Sequence, residues 1–173
     1  MRAKKMKITF ILPSAGVRPI GGFKVVYEYA NHLVHRGHEV TVIHPAILYK
    51  DTRLRDKPRK MVRFLQRSLD RSYNPRKWFN IDERVKLRWV LSLSEKHIPF
   101  ADAIIASSWA TAEFVASYKE DKGVKFYLIQ DYEHFMTSEQ VIRLRMVQTY
   151  KFGMHNIAIS PAVKEMVLSC GAK

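Results

Sequence analysis

Short apolar runs alternate with stretches of helical periodicity along most of the chain. Such runs, bounded by turn residues, are typical of strands that are covered on both faces in a parallel sheet. The first run is closed by Pro13, and we expect the second to end at Pro45. The predicted strands lie at residues 7–12, 39–43, 103–106, 125–129 and 156–159.

Helices are predicted between these runs. Apolar residues recur at helical spacing over residues 23–36, and Gly37 provides a stop. Ser107 or Ser108 opens a second helix at residues 109–118. The strands and helices therefore follow one another in the order that βαβ units require.

Two later helices carry capping signals. Thr137 and Gln140 predict a capping box for a helix that reaches about residue 150. Ser160 is the expected N-cap of the last helix, whose apolar spacing places Cys170 on the core face. A cysteine in that position is expected to be a buried structural thiol rather than a reactive one.

The alternation predicts an α/β fold. Strands that alternate with helices form a doubly wound, mostly parallel sheet with right-handed connections, as in Rossmann-like domains. A length of 173 residues fits one such domain and not two, so we expect residues 1–173 to form a single unit.

A basic segment interrupts the alternation and is interpreted as an insertion at about residues 50–78. Residues 50–77 contain eleven basic and three acidic residues. Between Pro58 and Pro75, apolar and basic side chains fall on different sides of a predicted helix, which is typical of a helix at an anionic membrane surface. The alternative is a solvated basic loop. The basic residues proposed to face the membrane are Lys60, Arg63, Arg67 and Arg71.

Another strand is predicted directly after the insertion. Val85, Leu87 and Trp89 alternate with Lys86 and Arg88. Alternation of this kind indicates a strand with one solvent-exposed side, near an edge or face of the sheet.

Charge and cysteine content narrow the function classes. The chain has 30 Lys and Arg against 16 Asp and Glu, a net charge of +14, so a polyanion or an anionic surface is an expected neighbour. A single cysteine excludes a disulfide framework and a Cys-rich zinc module.

We expect a cytoplasmic protein. The first apolar run is short and ends at Pro13, so it does not have the length of a signal peptide.

The glycines after the first strand are the candidate anion site. Gly21 and Gly22 lead directly into a helix, whose free amides and positive dipole end favour phosphate or carboxylate. The alternative is that they only permit a tight turn. The dinucleotide fingerprint is missing, and although Gly16 and Gly21 have P-loop spacing, Gly22 and Phe23 stand where lysine and serine or threonine would follow. Hydrolysis of a nucleoside triphosphate is therefore not expected.

Several segments, taken in order, resemble one enzyme family. They are GGFKVVYEYA at residues 21–30, LVHRGHEVTVI at residues 33–43, FADAIIASS at residues 100–108 and NIAIS at residues 156–160. In this order they resemble the amino-terminal domain of retaining glycosyltransferases of family four, which have the GT-B fold. The resemblance covers nearly the whole chain apart from the basic insertion.

The resemblance implies a function that needs a second domain. In this family two Rossmann-like domains face a cleft, the first for the acceptor and the second for the nucleotide-sugar. The second carries an E-x7-E motif, for which this chain has no room, so the carboxyl-terminal domain of the same enzyme is an implied partner. The chain alone is expected to be inactive. A nucleotide-sugar donor and a glycan or lipid-linked acceptor are implied as substrates. We expect no cofactor and no metal, and the basic segment would place the protein at the inner face of the membrane.

The resemblance also implies site residues. Gly21, Gly22 and Phe23 correspond to the loop that approaches the donor phosphates. Gln130 stands where the family often has a histidine near the transferred sugar, so no catalytic base is assigned. The Gln-Asp-Tyr-Glu loop that begins at Gln130 looks like that of some rhamnosyltransferases. The residues expected to bind acceptor or sugar are Ser14, Ser108, Trp109, Gln130, Asp131, Tyr132 and Glu133.

Other interpretations of these features stay open. Asp131 and Glu133 are equally well explained as solvated loop carboxylates. Trp109 is also explained as the first residue of a helix that packs on the core. His32, His35 and His38 do not complete a metal-ligand set, because no carboxylate or cysteine joins them. The rival functions are a basic nucleic-acid-binding module and a stand-alone sugar-binding module, although no RNA-binding signature is present.

Overall fold

The computed structural model describes residues 4–48, 57–131 and 137–172. Within them, six parallel strands form one sheet in the order β3-β2-β1-β4-β5-β6. The strands are β1 (Lys7–Ile11), β2 (Glu39–Ile47), β3 (Lys86–Ser92), β4 (Ala103–Ala106), β5 (Val124–Ile129) and β6 (His155–Ala158). The helices are α1 (Gly21–His35), α2 (Lys57–Asp70), α3 (Trp109–Ser117), α4 (Gln140–Thr149) and α5 (Pro161–Ser169). The predicted α/β fold with a Rossmann-like parallel sheet is confirmed.

Each face of the sheet has its own core. Because successive side chains of a strand point to opposite faces, Ile8 and Phe10 of β1 pack on the side of α1, whereas Ile11 packs on the side of α3 and α5. Val26 and Ala30 of α1 are completely buried on the first side. The near-continuous apolar runs follow directly from this two-sided burial.

The second strand is longer than predicted. β2 continues through Pro45 to Ile47 instead of ending before the proline. The register explains why, since β1 pairs with β2 only as far as Ile43, whereas Pro45 pairs with Val90 of β3. At Pro45 the sheet has a neighbour on one side alone, where a missing N–H group is tolerated.

The inserted helix and the strand after it are confirmed. α2 occupies the predicted stretch, and β3 is the edge strand of the described sheet. The exposed positions of β3 include Lys86 and Arg88, as its alternation indicates. α2 packs on β2 and β3, at the end of the sheet opposite β6.

The helix caps are partly as predicted. The Ser108 side chain caps α3 in a capping box with Thr111, and the Ser160 side chain accepts from the Val163 amide in α5. The capping box at Thr137 is wrong, because α4 begins only at Gln140. The Thr137 hydroxyl instead accepts a hydrogen bond from the Glu139 amide at 3.2 Å, a local turn that competes with the helix.

The last helix ends as its sequence indicates. Cys170 packs against the core on the α5 side, as predicted, but it is half-buried rather than buried. Gly171 follows with a φ of +83°, which suits glycine. Among the described helices, none has the length and apolar content that a transmembrane span requires.

Candidate functional site

A cleft opens at the carboxyl edge of the sheet, between the loops that follow β1 and β4. The chain leaves β1 toward β2 on one side, whereas β4 lies on the other side of β1 and continues away from it to β5. The strand order therefore reverses between β1 and β4. Ligands of doubly wound sheets bind at such switch points. The cleft has a volume of about 340 Å³. It is lined by Pro13, Ile20, Gly21, Gly22, Phe23, Val25, Ser107, Ser108, Gln130, Asp131 and Ile159.

The amino terminus of α1 supplies unpaired donors to this cleft. The N-cap residue, Ile20, has no side chain that could accept from the first amides, and the first turn contains no acidic residue. The Phe23 and Lys24 amides donate to the Ile20 carbonyl oxygen, whereas Gly21 and Gly22 have no acceptor within the described residues. Two free amides and the positive helix end therefore line the cleft.

Gln130 lies directly opposite Gly22. A Cβ atom at Gly22 would lie 3.4 Å from the Gln130 Oε1 atom, which is ordinary van der Waals contact, so the Gln130 side chain directly faces the start of α1. The Gln130 Oε1 atom is buried and has no hydrogen-bond partner in the described part of the chain. A buried acceptor of this kind favours a ligand that donates a hydrogen bond, such as a hydroxyl group.

The serines of the β4 loop shape the cleft with groups that are already bonded. The Ser107 hydroxyl donates to the Ile11 carbonyl oxygen at 2.8 Å. The Ser107 and Ser108 amides both donate to the Thr111 hydroxyl at 3.0 Å, and the Ser108 hydroxyl caps α3. These bonds hold the loop wall rigid, so Ser108 positions the wall rather than offering its own hydroxyl.

A buried aromatic cluster supports the glycine loop from below. His44 is completely buried, with its Nδ1 atom 2.9 Å from the Ser14 carbonyl oxygen and its Nε2 atom 3.4 Å from the Tyr27 hydroxyl. Trp78 donates its indole N–H to the Gly16 carbonyl oxygen at 2.7 Å. The loop is therefore anchored at two carbonyl groups before it reaches the helix.

Burial changes the acid–base behaviour of this cluster. Desolvation lowers the pKa of His44 to about 4, against a smaller opposing effect of the bond to Ser14. Burial raises the pKa of the Tyr27 hydroxyl well above its ordinary value. Both groups are therefore neutral near pH 7. Sequence reasoning did not single out His44, and its only local signal is its place directly after the predicted strand at residues 39–43 and just before Pro45.

Other predicted site residues lie at the rim of the cleft or away from it. Ser14 is exposed and does not line the cleft, and the Phe23 ring belongs to the core on the α1 side, so only its backbone lies at the helix end. Trp109 is half-buried at the junction of α3 and α4, where the Arg145 guanidinium lies 5.4 Å from its ring centre. Asp131 is at the exposed rim of the cleft.

Two further predicted residues, Tyr132 and Glu133, lie outside the described residues. Of the three histidines considered as metal ligands, His38 accepts a hydrogen bond from the Met6 amide and His35 lies 3.4 Å from the Asp82 carboxylate. No group of three metal-ligating side chains occurs within residues 4–48, 57–131 and 137–172.

The arrangement can bind a ligand that is anionic at one end and carries hydroxyl groups at the other. The α1 amides suit phosphate oxygens, and the Gln130 amide and Asp131 carboxylate suit hydroxyl donors. No known family model, curated protein or solved structure matches the chain.

Proposed function

We propose that the chain is the acceptor-side half of a retaining glycosyltransferase, which transfers a sugar from a nucleotide-sugar to a glycan or lipid-linked acceptor. The observation that carries the proposal is the juxtaposition of the uncapped α1 terminus with the unpaired Gln130 Oε1 atom at the switch point of the sheet. The sequence resemblance to family-four enzymes supports the same interpretation.

The helix terminus supplies the interaction that a donor diphosphate needs. Gly21 and Gly22 present amides without Cβ atoms that would crowd the approach, and the first turn carries no negative charge that would repel phosphate. Negative charge develops on the diphosphate as its bond to the sugar breaks. Preorganised amides stabilise that charge without having to reorient during the reaction.

The opposite wall supplies the interactions that a sugar needs. Gln130 and Asp131 accept hydrogen bonds from hydroxyl groups, while Pro13, Ile20 and Ile159 offer apolar surface to the carbon–hydrogen faces of a ring. No residue is assigned as nucleophile or base. The nucleotide-binding domain of the same enzyme is the proposed partner, so this chain binds part of the donor and does not turn over alone.

Ligand-observed NMR titration tests the proposal. Because the nucleotide is held mainly by the proposed partner domain, we expect weak binding of a nucleotide-sugar to this chain, with a dissociation constant of about 1 mM, or roughly 4 kcal/mol of binding free energy. Gly21→Asp should weaken binding of both pyrophosphate and nucleotide-sugar at least tenfold, because it places a carboxylate at the helix end. Gly21→Ala, which meets nothing within 4 Å, is the matched control and should bind normally.

Gln130 separates sugar recognition from phosphate recognition. Gln130→Leu should weaken nucleotide-sugar binding about fivefold and leave pyrophosphate binding unchanged, since an interaction with a hydroxyl is worth roughly 1 kcal/mol. Gln148→Leu, at an exposed position of α4, is the control for the same change of chemistry. Equal affinity of wild type and Gly21→Asp for every nucleotide-sugar tested would contradict the proposal.

A further inference from the structure

The orientation of α2 is fixed by one tryptophan of the edge strand. The Phe64 ring stacks on Trp89 with centroids 5.7 Å apart, and the Trp89 indole N–H donates to the Phe64 carbonyl oxygen at 3.2 Å. Tyr73, just beyond α2, also stacks on Trp89, with centroids 5.4 Å apart and ring planes 6° from parallel. These contacts hold the Phe64 side of the helix against the sheet.

A different side of α2 presents aliphatic residues to solvent. In a helix with 3.6 residues per turn, Lys60, Phe64 and Arg67 share the side that packs inward, and all three are half-buried. Of the four basic residues predicted to face a membrane, Lys60 and Arg67 therefore lie on the inward side, whereas Arg63 and Arg71 are exposed. An outward stripe consists of four exposed side chains, namely Met61 (41% exposed), Val62 (54%), Leu65 (54%) and Leu69 (86%). Four large aliphatic side chains on one short helix form a contiguous apolar surface of the kind that marks an interaction site.

Positive charge borders the apolar stripe. Arg59, Arg63 and Arg71 are exposed, and none of them forms an ion pair with a carboxylate of the described residues. Burial and, to a lesser extent, the neighbouring Arg63 lower the pKa of the half-buried Arg67. The helix thus joins exposed apolar surface to uncompensated positive charge.

We propose that α2 is a membrane-docking helix that lies in the interface of an anionic phospholipid bilayer. Leu65, Leu69 and their aliphatic neighbours enter the boundary of the acyl chains, and Arg59, Arg63 and Arg71 contact lipid phosphates. Docking through α2 leaves the cleft between β1 and β4 open, because no residue of α2 lines it. The inference stands independently of the proposed glycosyltransferase function.

A lipid surface explains the patch better than a nucleic acid does. Proteins bind RNA or DNA through cations that contact phosphates and through aromatic side chains that stack on bases. Exposed leucine and valine side chains contribute to neither kind of contact. The aromatic rings nearest to α2, those of Tyr73 and Trp89, are already stacked on each other. The combination of aliphatic stripe and arginines matches a bilayer interface.

Vesicle co-sedimentation of the full chain tests the inference. Wild type should bind vesicles of equal parts phosphatidylcholine and phosphatidylglycerol, bind pure phosphatidylcholine far more weakly, and lose affinity as salt is added. Arg59→Gln combined with Arg63→Gln should weaken binding to anionic vesicles roughly 25-fold, about fivefold for each charge removed near the surface. The control is Lys151→Gln combined with Lys164→Gln, two exposed cations outside α2.

The aliphatic variant distinguishes a membrane from a generic polyanion. Leu65→Gln combined with Leu69→Gln should weaken vesicle binding at least tenfold and leave binding of single-stranded RNA unchanged. Val141→Gln combined with Leu144→Gln, which changes exposed residues of α4, should leave both unchanged. All altered side chains are solvent-exposed, so circular dichroism should show unchanged folding. Vesicle binding that survives the Leu65 and Leu69 changes, or that responds equally to the control variants, would overturn the proposal.

Discussion

The Nδ1 atom of His44 lies 2.9 Å from the carbonyl oxygen of Ser14, and this contact ties β2 to the loop that forms the cleft. A carbonyl oxygen only accepts hydrogen bonds, so Nδ1 carries the proton in the neutral ring. The lone pair of Nε2 then faces the Tyr27 hydroxyl at 3.4 Å. A neutral imidazole in one tautomer thus holds the loop above it in place.

The buried imidazole predicts a dependence of stability on pH. Its pKa in the folded chain, about 4, lies below the ordinary value of 6.5, so the unfolded chain binds more protons between these two values. The contribution of His44 is therefore complete above pH 6.5 and is lost as the pH falls toward 4. We expect the free energy of unfolding to drop by about 2 kcal/mol between pH 7.5 and pH 5. Urea denaturation at the two pH values measures this drop.

His44→Asn provides the control for that pH dependence. Asparagine retains a short side-chain amide that can donate toward Ser14 but has no group that titrates in this range. The variant should be less stable at pH 7.5, and its stability should change little between pH 7.5 and pH 5. Carboxylates with lowered pKa values, such as Asp82, act at lower pH, below their ordinary range. An NMR titration in which the His44 ring protonates near pH 6.5 in the folded chain would contradict the interpretation.

Gly16 is predicted to be intolerant of any side chain. A Cβ atom there would lie 2.7 Å from the Tyr27 hydroxyl oxygen and 2.9 Å from Cβ of Pro75, so the loop or the cluster below it must shift. Gly16→Ala should reduce the free energy of unfolding by about 1–3 kcal/mol, the usual effect of overpacking. Gly21→Ala meets no atom within 4 Å and should be neutral or raise stability by up to about 1 kcal/mol. Equal destabilisation by the two substitutions would refute the packing argument.

Gly123 is also predicted not to tolerate a side chain, because both its backbone conformation and the space around it exclude a Cβ atom. Its φ is +99°, and a Cβ atom would lie 2.7 Å from the Ala101 carbonyl oxygen. Gly37 has a similar φ of +90° with nothing within 4 Å, so Gly37→Ala isolates the cost of the backbone conformation, about 1–2 kcal/mol. Thermal melts should show a clearly larger loss for Gly123→Ala. Indistinguishable melting temperatures for the two variants would contradict the close approach.

Trp89 is predicted to control the docking of α2. Trp89→Leu removes two stacking contacts, each worth about 0.5–1.5 kcal/mol beyond buried area, and the hydrogen bond to the Phe64 carbonyl. Trypsin should then cleave after Arg63 and Arg67 about tenfold faster, because a loss of roughly 1.4 kcal/mol raises the open population tenfold. Trp109→Leu, a matched change at the junction of α3 and α4, should leave cleavage in α2 unchanged. Cleavage at the wild-type rate in Trp89→Leu would show that other contacts hold the helix.

The fold was predictable because burial on both faces of the sheet imposes a simple pattern. Strands such as β4, with all four residues buried, appear in the sequence as plain apolar runs, and α1 shows its buried stripe at helical spacing. The end of β2 was not predictable. Whether Pro45 ends a strand depends on whether β1 is still alongside it, and that is a property of the register rather than of the residues near Pro45.

The candidate site was predictable only in outline. Gly21, Gly22 and Gln130 follow predicted strands, and the carboxyl ends of parallel strands meet at one edge, so their meeting in one cleft follows from topology. The roles of individual side chains depend on tertiary partners. Ser108 is used to cap α3, and His44 gains its role only from the Ser14 carbonyl above it, which no local pattern indicates.

Amide-resolved NMR titration would show whether the cleft between β1 and β4 binds a phosphate at Gly21 and Gly22 and a sugar at Gln130. Pyrophosphate and a nucleotide-sugar are added separately to ¹⁵N-labelled full chain, and the backbone and side-chain amides are followed. If the cleft binds the donor as proposed, both ligands shift the Gly21 and Gly22 amides, and only the nucleotide-sugar also shifts the Gln130 side-chain amide, while the Gly37 amide stays unchanged. Shifts that leave Gly21 and Gly22 unaffected, or that centre on the arginines of α2, would rule out donor binding in this cleft.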